Sequence, residues 1–152
     1  MKIIKPLKLT SMILIMCFAL ALAAGCGSDD GSDIDYNLTK YSKTMIHSTV
    51  DDMTNPQTGN PLKYIGKTVK VQGKYMPWYV EEVDRWFQYV EIEGDEGCCP
   101  QYLEFVVKGD LVYPDDYPPN ETLLELTGVF GLYDSDGYNN LPHLSVDEIV
   151  IK

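Results

Sequence analysis

Histidine is scarce in this chain of 152 residues: only His47 and His143 occur. General acid–base catalysis near neutral pH most often uses histidine, so the sequence offers few candidates for it. The sequence also lacks a Ser/His/Asp arrangement, a nucleophile elbow, a phosphate-binding loop and a paired-carboxylate motif. We therefore expect a protein that is not an enzyme.

Basic residues are also few: the chain has 12 lysines and arginines against 23 aspartates and glutamates, a formal net charge of −11. Three of the lysines lie in the first 25 residues, so the remainder has nine basic and 23 acidic residues and a net charge of −14. Such a surface repels the phosphates of nucleic acids and attracts cations. We expect no nucleic-acid partner.

The N-terminus has the features of an export signal. Three lysines precede an almost wholly apolar stretch, residues 11–24, which is short for a membrane span. The stretch ends in "LALAAGCGSDD", whose small residues before Cys26 resemble a bacterial lipobox. The resemblance implies that residues 1–25 are a signal peptide and that Cys26 is acylated. We therefore expect a protein that its lipid anchors to the cell membrane, facing outside the cytoplasm.

The anchor is followed by a linker and then by one domain. Residues 26–35, "CGSDDGSDID", are small and acidic, which predicts a flexible linker. Residues 36–152 are enough for a single domain with a hydrophobic core. Between Tyr36 and Met53 apolar residues recur at spacings of three and four, which predicts an amphipathic helix.

From residue 66 onward the pattern is that of a β domain. Turn-forming residues separate five segments rich in strand formers, namely "KTVKVQGKYMPWYV", "DRWFQYVEIE", "QYLEFVV", "TLLELTGVFGLYD" and "NLPHLSVDEIVIK". A long first strand and a glycine-containing fourth strand are typical of a five-stranded OB-like barrel. We predict this mainly β fold for residues 66–152, preceded by the helix of residues 36–53.

Three motifs of this region resemble a known group of proteins. "YIGKTVKVQGKY", "CCPQYLEFV" and "GDLVYPDDYP" are similar to segments of small lipoproteins of Gram-positive bacteria that have an OB-fold-like domain. The double cysteine also resembles that of the extracytoplasmic domain of permease-associated membrane proteins. The resemblance implies an OB-like domain outside the membrane, with a transporter or another envelope component as partner, and it implies no reaction. The group has a histidine near the start of the last strand, His143 here, often preceded by cysteine where this chain has Pro142.

Four cysteines are present, and two of them, Cys98 and Cys99, remain once Cys17 leaves with the signal peptide and Cys26 is acylated. Adjacent Cα atoms lie about 3.8 Å apart across a trans peptide bond, closer than the roughly 4.4–6.8 Å of an unstrained disulfide. A bond between these two residues would be strained and easily reduced. It would therefore be a redox element rather than a structural crosslink.

The cysteine pair also fits a site for zinc or another thiophilic metal. Thiolates bind such ions, and Gly97 and Pro100 favour the turn that would bring both sulfurs to one side. His143 is the candidate third ligand, and Glu96 or Asp95 would supply an oxygen. A third interpretation is that both thiols are simply buried.

A second candidate site lies in the first two predicted strands, where aromatic residues are concentrated. OB domains bind ligands on the face that these strands form. The strong negative charge favours a protein or a glycan over an oligonucleotide as the ligand. The alternative is that these rings pack in the core. The candidates are Trp78, Tyr79, Trp86, Phe87 and Tyr89.

The sequence thus predicts a membrane-anchored extracytoplasmic binding lipoprotein. In the first interpretation it binds a metal through Cys98, Cys99 and His143 and assists transport. In the second it is an interaction module of the cell envelope that binds protein or glycan through its aromatic residues. In the third it is a thiol redox protein.

Overall fold

The computed structural model describes residues 33–94, 99–135 and 137–152. The predicted signal peptide, Cys26 and most of the linker lie outside the described residues, and so do residues 95–98. In the described part the chain is mainly β, with one α-helix and a sheet of seven strands. The predicted fold class, mainly β with one helix near the N-terminus, is therefore confirmed. None of the described helices is long and apolar enough to cross a membrane.

The elements follow one another in a simple order. Helix α1 spans Lys43–Thr54. The strands are β1 (Tyr36–Asn37), β2 (Thr68–Val80), β3 (Arg85–Ile92), β4 (Gln101–Val107), β5 (Leu123–Ser135), β6 (Tyr138–Val146) and β7 (Val150–Ile151). Short 3-10 helices are formed by Leu38–Lys40, Pro61–Tyr64 and Glu81–Val83.

The strands are arranged in the order β1-β2-β3-β4-β6-β5-β7, and β2 also pairs with β5. The pairings therefore run from β2 through β3, β4, β6 and β5 and return to β2. Neighbouring strands in this cycle are antiparallel except β4 and β6, which are parallel. The first half of β2 pairs with β5 and the second half with β3, so this long strand contributes to both sides of the cycle.

Gly73 marks the point at which β2 changes partner. It pairs with Leu124 of β5, and the next residue, Lys74, pairs with both Leu123 and Glu91. A Cβ at position 73 would lie 2.3 Å from the backbone oxygen of Glu91, so only glycine fits here. Glycine is required at this position because two strands approach the same backbone from opposite sides.

The hydrophobic core is formed by side chains that alternate along each strand. This alternation defines a core face and an outer face for the sheet. Two residues of α1, Val50 and Met53, are fully buried in the same cluster. The strands contribute Val69, Val71, Tyr75, Val90, Ile92, Leu103, Phe105, Val107, Leu124, Leu126, Phe130, Leu144 and Val146.

The helix begins at Lys43 rather than at Tyr36, where the apolar spacing predicted it. Tyr36 and Asn37 instead form a short strand parallel to β2. Ser42 has extended backbone angles, and its side-chain oxygen accepts a 3.3 Å hydrogen bond from the N–H of Met45. This N-cap satisfies one of the free amides of the first turn and fixes the start of the helix.

The predicted last strand is divided in two. β6 ends at Val146, residues 147–149 leave the sheet, and β7 resumes at Val150. β6 pairs with β4 and with the second half of β5, whereas β7 pairs with Leu124 and Glu125 near the start of β5. Gly128 pairs with Val146 and Glu125 with Val150, so the partner segment has one more residue between the two pairings than β5 has, as at a β-bulge.

Candidate functional site

The residues of the predicted metal site are only partly described. Cys98 and Glu96 lie outside the described residues. Cys99 is exposed and has a positive φ of 54°. Across the described ranges, no group of three or more histidine, cysteine, aspartate or glutamate side chains is arranged to hold a metal ion. The metal site therefore stays a prediction.

His143 lies in the middle of β6, between Glu104 of β4 and Gly131 of β5. Its ring stands perpendicular to that of Tyr133, with the centroids 5.0 Å apart. A Cβ at Gly131 would lie 3.1 Å from Cε1 of His143, so the glycine leaves room for the imidazole. Burial lowers the pKa of His143, which favours the neutral ring.

The five predicted aromatic residues divide between the two faces of the sheet. Trp78 of β2 pairs with Phe87 of β3, and two residues earlier Met76 pairs with Tyr89, all on the outer face. Tyr79 pairs with Trp86 and lies on the opposite face. Because side chains alternate along a strand, this arrangement separates three candidates, Trp78, Phe87 and Tyr89, from the other two.

The outer face holds a cavity of about 540 Å³. Strands β2 and β3 form one part of its wall with Met76, Trp78, Val80, Phe87 and Tyr89. Strands β4 and β6 form the rest with Tyr102, Tyr138 and Leu141. We call this cavity the aromatic pocket, because five of these eight lining residues are aromatic. Its volume is in the range of small-molecule sites.

The walls of the aromatic pocket are apolar and partly open to solvent. Trp78 is 65 % exposed and Tyr138 is 50 % exposed, whereas Phe87 is buried. The rings of Tyr89 and Tyr102 are nearly perpendicular, at 83°, with their centroids 6.4 Å apart. The described residues that line the pocket carry no formal charge. This arrangement suits a ligand group with an apolar surface that enters from solvent.

A buried polar network lies beside the pocket on the same face. Glu104 of β4 is only 5 % exposed, and its carboxylate accepts a 2.6 Å hydrogen bond from the hydroxyl of Tyr133. Arg85, the only arginine in the sequence, donates a 2.8 Å hydrogen bond to Ser135 and a longer one of 3.5 Å to the Tyr133 hydroxyl. The guanidinium lies 4.6 Å from the centre of the Phe87 ring.

The network carries a charge that burial makes costly. Burial raises the pKa of Glu104, and the hydrogen bond from Tyr133 and the charge of Arg85 oppose that rise. Burial also raises the pKa of Tyr133, and its hydrogen bond to Glu104 adds to the effect. The phenol therefore stays protonated and acts as the hydrogen-bond donor. Pairing of this kind offsets the cost of a buried carboxylate.

Tyr79 and Trp86 belong to a different aromatic cluster. The ring of Trp86 lies 5.2 Å from that of Tyr79 and 4.3 Å from that of Tyr113. Tyr113 in turn contacts Tyr117, which stacks on the buried Tyr75. These rings attach the segment of residues 111–119, "LVYPDDYPP", to the sheet. Tyr79 and Trp86 thus have partners within the chain.

Sequence reasoning missed the residues of β4 and β6 that complete the site. Tyr102 alternates with the buried Leu103 and Phe105, so its outward direction is readable from "QYLEF". Its position next to β3, opposite Glu91, depends on the order of the strands and is not readable from the segment. Tyr138 and Leu141 reach the pocket because β6 lies beside β4 although β5 precedes it in the chain.

No protein-family model matches this chain, and no curated protein matches it.

Proposed function

We propose that this protein is a non-catalytic binding module whose ligand site is the aromatic pocket. The observation that carries the proposal is the convergence of five aromatic rings from β2, β3, β4 and β6 on one cavity of about 540 Å³. Exposed aromatic surface of this kind is unfavourable in water unless a ligand covers it. Ligand-binding sites in proteins are typically concave, of this size and lined mostly by apolar side chains.

The fold we propose is an OB-like barrel built from β2 to β6. Its support is the return of the pairings from β5 to β2, together with the parallel pairing of β4 and β6. OB domains bind their ligands on the face of their second and third strands. The aromatic pocket draws on β3 and β4, which hold those positions if β2 is counted as the first strand of the barrel.

The location we propose is the outer side of the cell membrane. Its support is the export signal, the resemblance of the residues before Cys26 to a lipobox, and the acidic linker. A lipid on Cys26 and a short linker would hold the domain close to the membrane surface. A membrane transporter or another component of the envelope is then the partner within reach.

The proposal is tested with the full-length chain in phosphatidylglycerol nanodiscs. Saturation-transfer NMR measures contact with three probes: 4-methylphenol, which resembles a tyrosine side chain, 3,3-dimethylbutan-1-ol, and methyl β-glucoside. We expect transfer to the first two, because their apolar groups cover the rings. Transfer to the glucoside is expected to be weak, since the described lining offers few partners for its hydroxyls.

Two matched variants locate the contact. Trp78→Leu removes a ring of the pocket, and Trp86→Leu removes a ring from the opposite face of the same pair of strands. Trp78 is mostly exposed, so its loss should change the free energy of unfolding by less than about 0.5 kcal/mol. Loss of transfer in Trp78→Leu but not in Trp86→Leu supports the proposal. Equal transfer in both variants and in the wild type would refute it.

A further inference from the structure

We propose that the aromatic pocket selects an organic cation whose ammonium group carries alkyl substituents, of the class to which choline belongs. This inference rests on the proposed function, because it names the ligand of the same pocket. It follows from three features of the outer face, namely the arrangement of its rings, a cation of the chain that already contacts two rings and an excess of carboxylates, and from the apolar walls of the pocket.

The first feature is the orientation of the rings. The face of an aromatic ring carries partial negative charge, and cations bind over it with the ring centroid within about 6 Å. Tyr89 and Tyr102 meet edge to face at 83°, and the mostly exposed Trp78 lines the same cavity. Tryptophan is the strongest of the three aromatic side chains in this interaction.

The second feature is that this face already holds a cation of the chain itself. The guanidinium of Arg85 lies 4.6 Å from the Phe87 centroid and 5.6 Å from the Tyr133 centroid. Both contacts are within the range of cation–π attraction. Arg85 occupies the Phe87 ring, so the rings that remain for a ligand are those of Trp78, Tyr89, Tyr102 and Tyr138.

The third feature is an excess of carboxylates around the pocket. Glu91 is the cross-strand partner of Tyr102, and Glu104 is that of Tyr89. Burial and the charge of Glu91 raise the pKa of Tyr102. Burial and the charge of Glu104 raise the pKa of Tyr89, and the charge of Arg85 opposes that rise, so both carboxylates act on lining rings.

The cations of the same surface do not cancel these carboxylates. Lys74 forms a 3.2 Å salt bridge with Glu93, and the positive charge of Arg85 acts on Glu104. Among these five groups of the sheet Glu91 is the excess charge, and Lys43 of α1 lines the same neighbouring cavity as Glu91. The whole chain has a formal net charge of −11, which adds a long-range attraction for a cation.

The apolar walls distinguish an alkylated ammonium from a primary amine. A primary ammonium would give up hydrogen bonds to water and would find few acceptors among Met76, Val80 and Leu141. A trimethylammonium group presents methyl groups instead, and it loses no such hydrogen bond. It therefore gains both apolar contact and cation–π attraction in this pocket.

The test compares two probes of the same shape. Choline and 3,3-dimethylbutan-1-ol differ only in the central atom, which is a charged nitrogen in choline and a neutral carbon in the alcohol. Each is titrated by NMR against the full-length chain in phosphatidylglycerol nanodiscs at physiological ionic strength, with empty nanodiscs as the blank. We expect choline to bind about 5- to 30-fold more tightly than the alcohol, and Trp78→Leu to lower its affinity at least about 5-fold. Trp86→Leu should leave it unchanged.

The outcomes separate this inference from the proposed function. If the alcohol binds as tightly as choline and both depend on Trp78, the pocket is the ligand site but the inference of a cation is wrong. If neither probe binds but 4-methylphenol still contacts the pocket through Trp78, only the inference of a cation is wrong; if none of the three binds, both are wrong. Binding of the chain to phosphatidylcholine vesicles without binding of free choline would also overturn the inference, because the ligand would then be a lipid surface.

Discussion

The hydroxyl of Tyr133 on β5 donates a 2.6 Å hydrogen bond to the carboxylate of Glu104 on β4, although β6 lies between these two strands. Tyr133 reaches across β6 beside the ring of His143, where Gly131 leaves space. The bond satisfies a charged group that is only 5 % exposed. It also links β5 to the cross-strand partner of Tyr89 in the aromatic pocket.

We predict that Tyr133→Phe lowers the free energy of unfolding by about 1–3 kcal/mol, because it removes a hydrogen-bond donor from a buried carboxylate. Denaturant unfolding followed by circular dichroism measures the change. Tyr138→Phe is the matched control: Tyr138 is half exposed, and its loss of a hydroxyl should cost less than about 0.5 kcal/mol. Equal effects of the two substitutions would contradict the role of the bond.

We predict a pH dependence of stability that is specific to Glu104. Its pKa is raised in the folded state, so the folded chain binds its proton more tightly than the unfolded chain does. The resulting stability is present below the ordinary carboxyl pKa of 4.5 and is lost as pH rises through the raised value. Carboxylates with lowered pKa, such as Asp52 and Glu125, contribute with the opposite sign and must be subtracted.

Glu104→Gln performs this subtraction, because glutamine keeps an acceptor for Tyr133 but does not titrate. The free energy of unfolding of the variant minus that of the wild type should increase as pH rises above 4.5 and then level off. Unfolding curves at a series of pH values provide the difference. A difference that decreases with pH would show that the folded state favours the ionised carboxylate, contrary to this prediction.

We predict that Trp86→Leu loosens the segment of residues 111–119. Trp86 contacts Tyr113 at 4.3 Å between ring centroids, and this contact attaches the segment to β3. Amide hydrogen exchange should become faster at Asp116 and Tyr117, whose N–H groups bond to carbonyls within the segment. Trp78→Leu should leave exchange at these amides unchanged. Faster exchange in both variants would point to a general loss of stability instead.

The metal site formed by Cys98, Cys99 and His143, with Glu96 as a further ligand, stays a prediction from the sequence. If it exists, protein purified without chelator contains stoichiometric zinc, copper or iron, and Cys98→Ser and His143→Ala each remove it. His47→Ala is the matched control for the histidine. Metal at background level in the wild type would refute the site, and alkylation of the two thiols with and without reductant would then test the disulfide.

The sequence predicted what depends on local pattern. Because the period of a strand is two residues, the pattern "DRWFQYVEIE" places Phe87 and Tyr89 on one face and Trp86 on the other, as in the structure. The segments rich in strand-forming residues likewise predicted the long strands, because strand propensity is a local property. The predicted start of α1 at Tyr36 was wrong, because apolar spacing alone does not distinguish a helix from a short strand followed by a 3-10 turn. The N-cap at Ser42 marks the actual start.

The sequence could not predict what depends on the order of the strands. Tyr102, Tyr138 and Leu141 join the aromatic pocket because β4 lies between β3 and β6. The burial of Glu104 likewise requires Tyr133 from a strand that is not its neighbour. Contacts between residues so far apart in the chain are not encoded in any short segment.

The central claim is that the aromatic pocket is the ligand site, and the two tryptophans of the chain test it directly. The measurement is a ¹H–¹⁵N NMR titration of the full-length chain with 4-methylphenol, observed at the two indole N–H signals and assigned with Trp78→Leu. The account predicts a saturable shift of the Trp78 indole signal and no shift of that of Trp86. A saturable shift of Trp86 alone, or no shift of either signal, would contradict it.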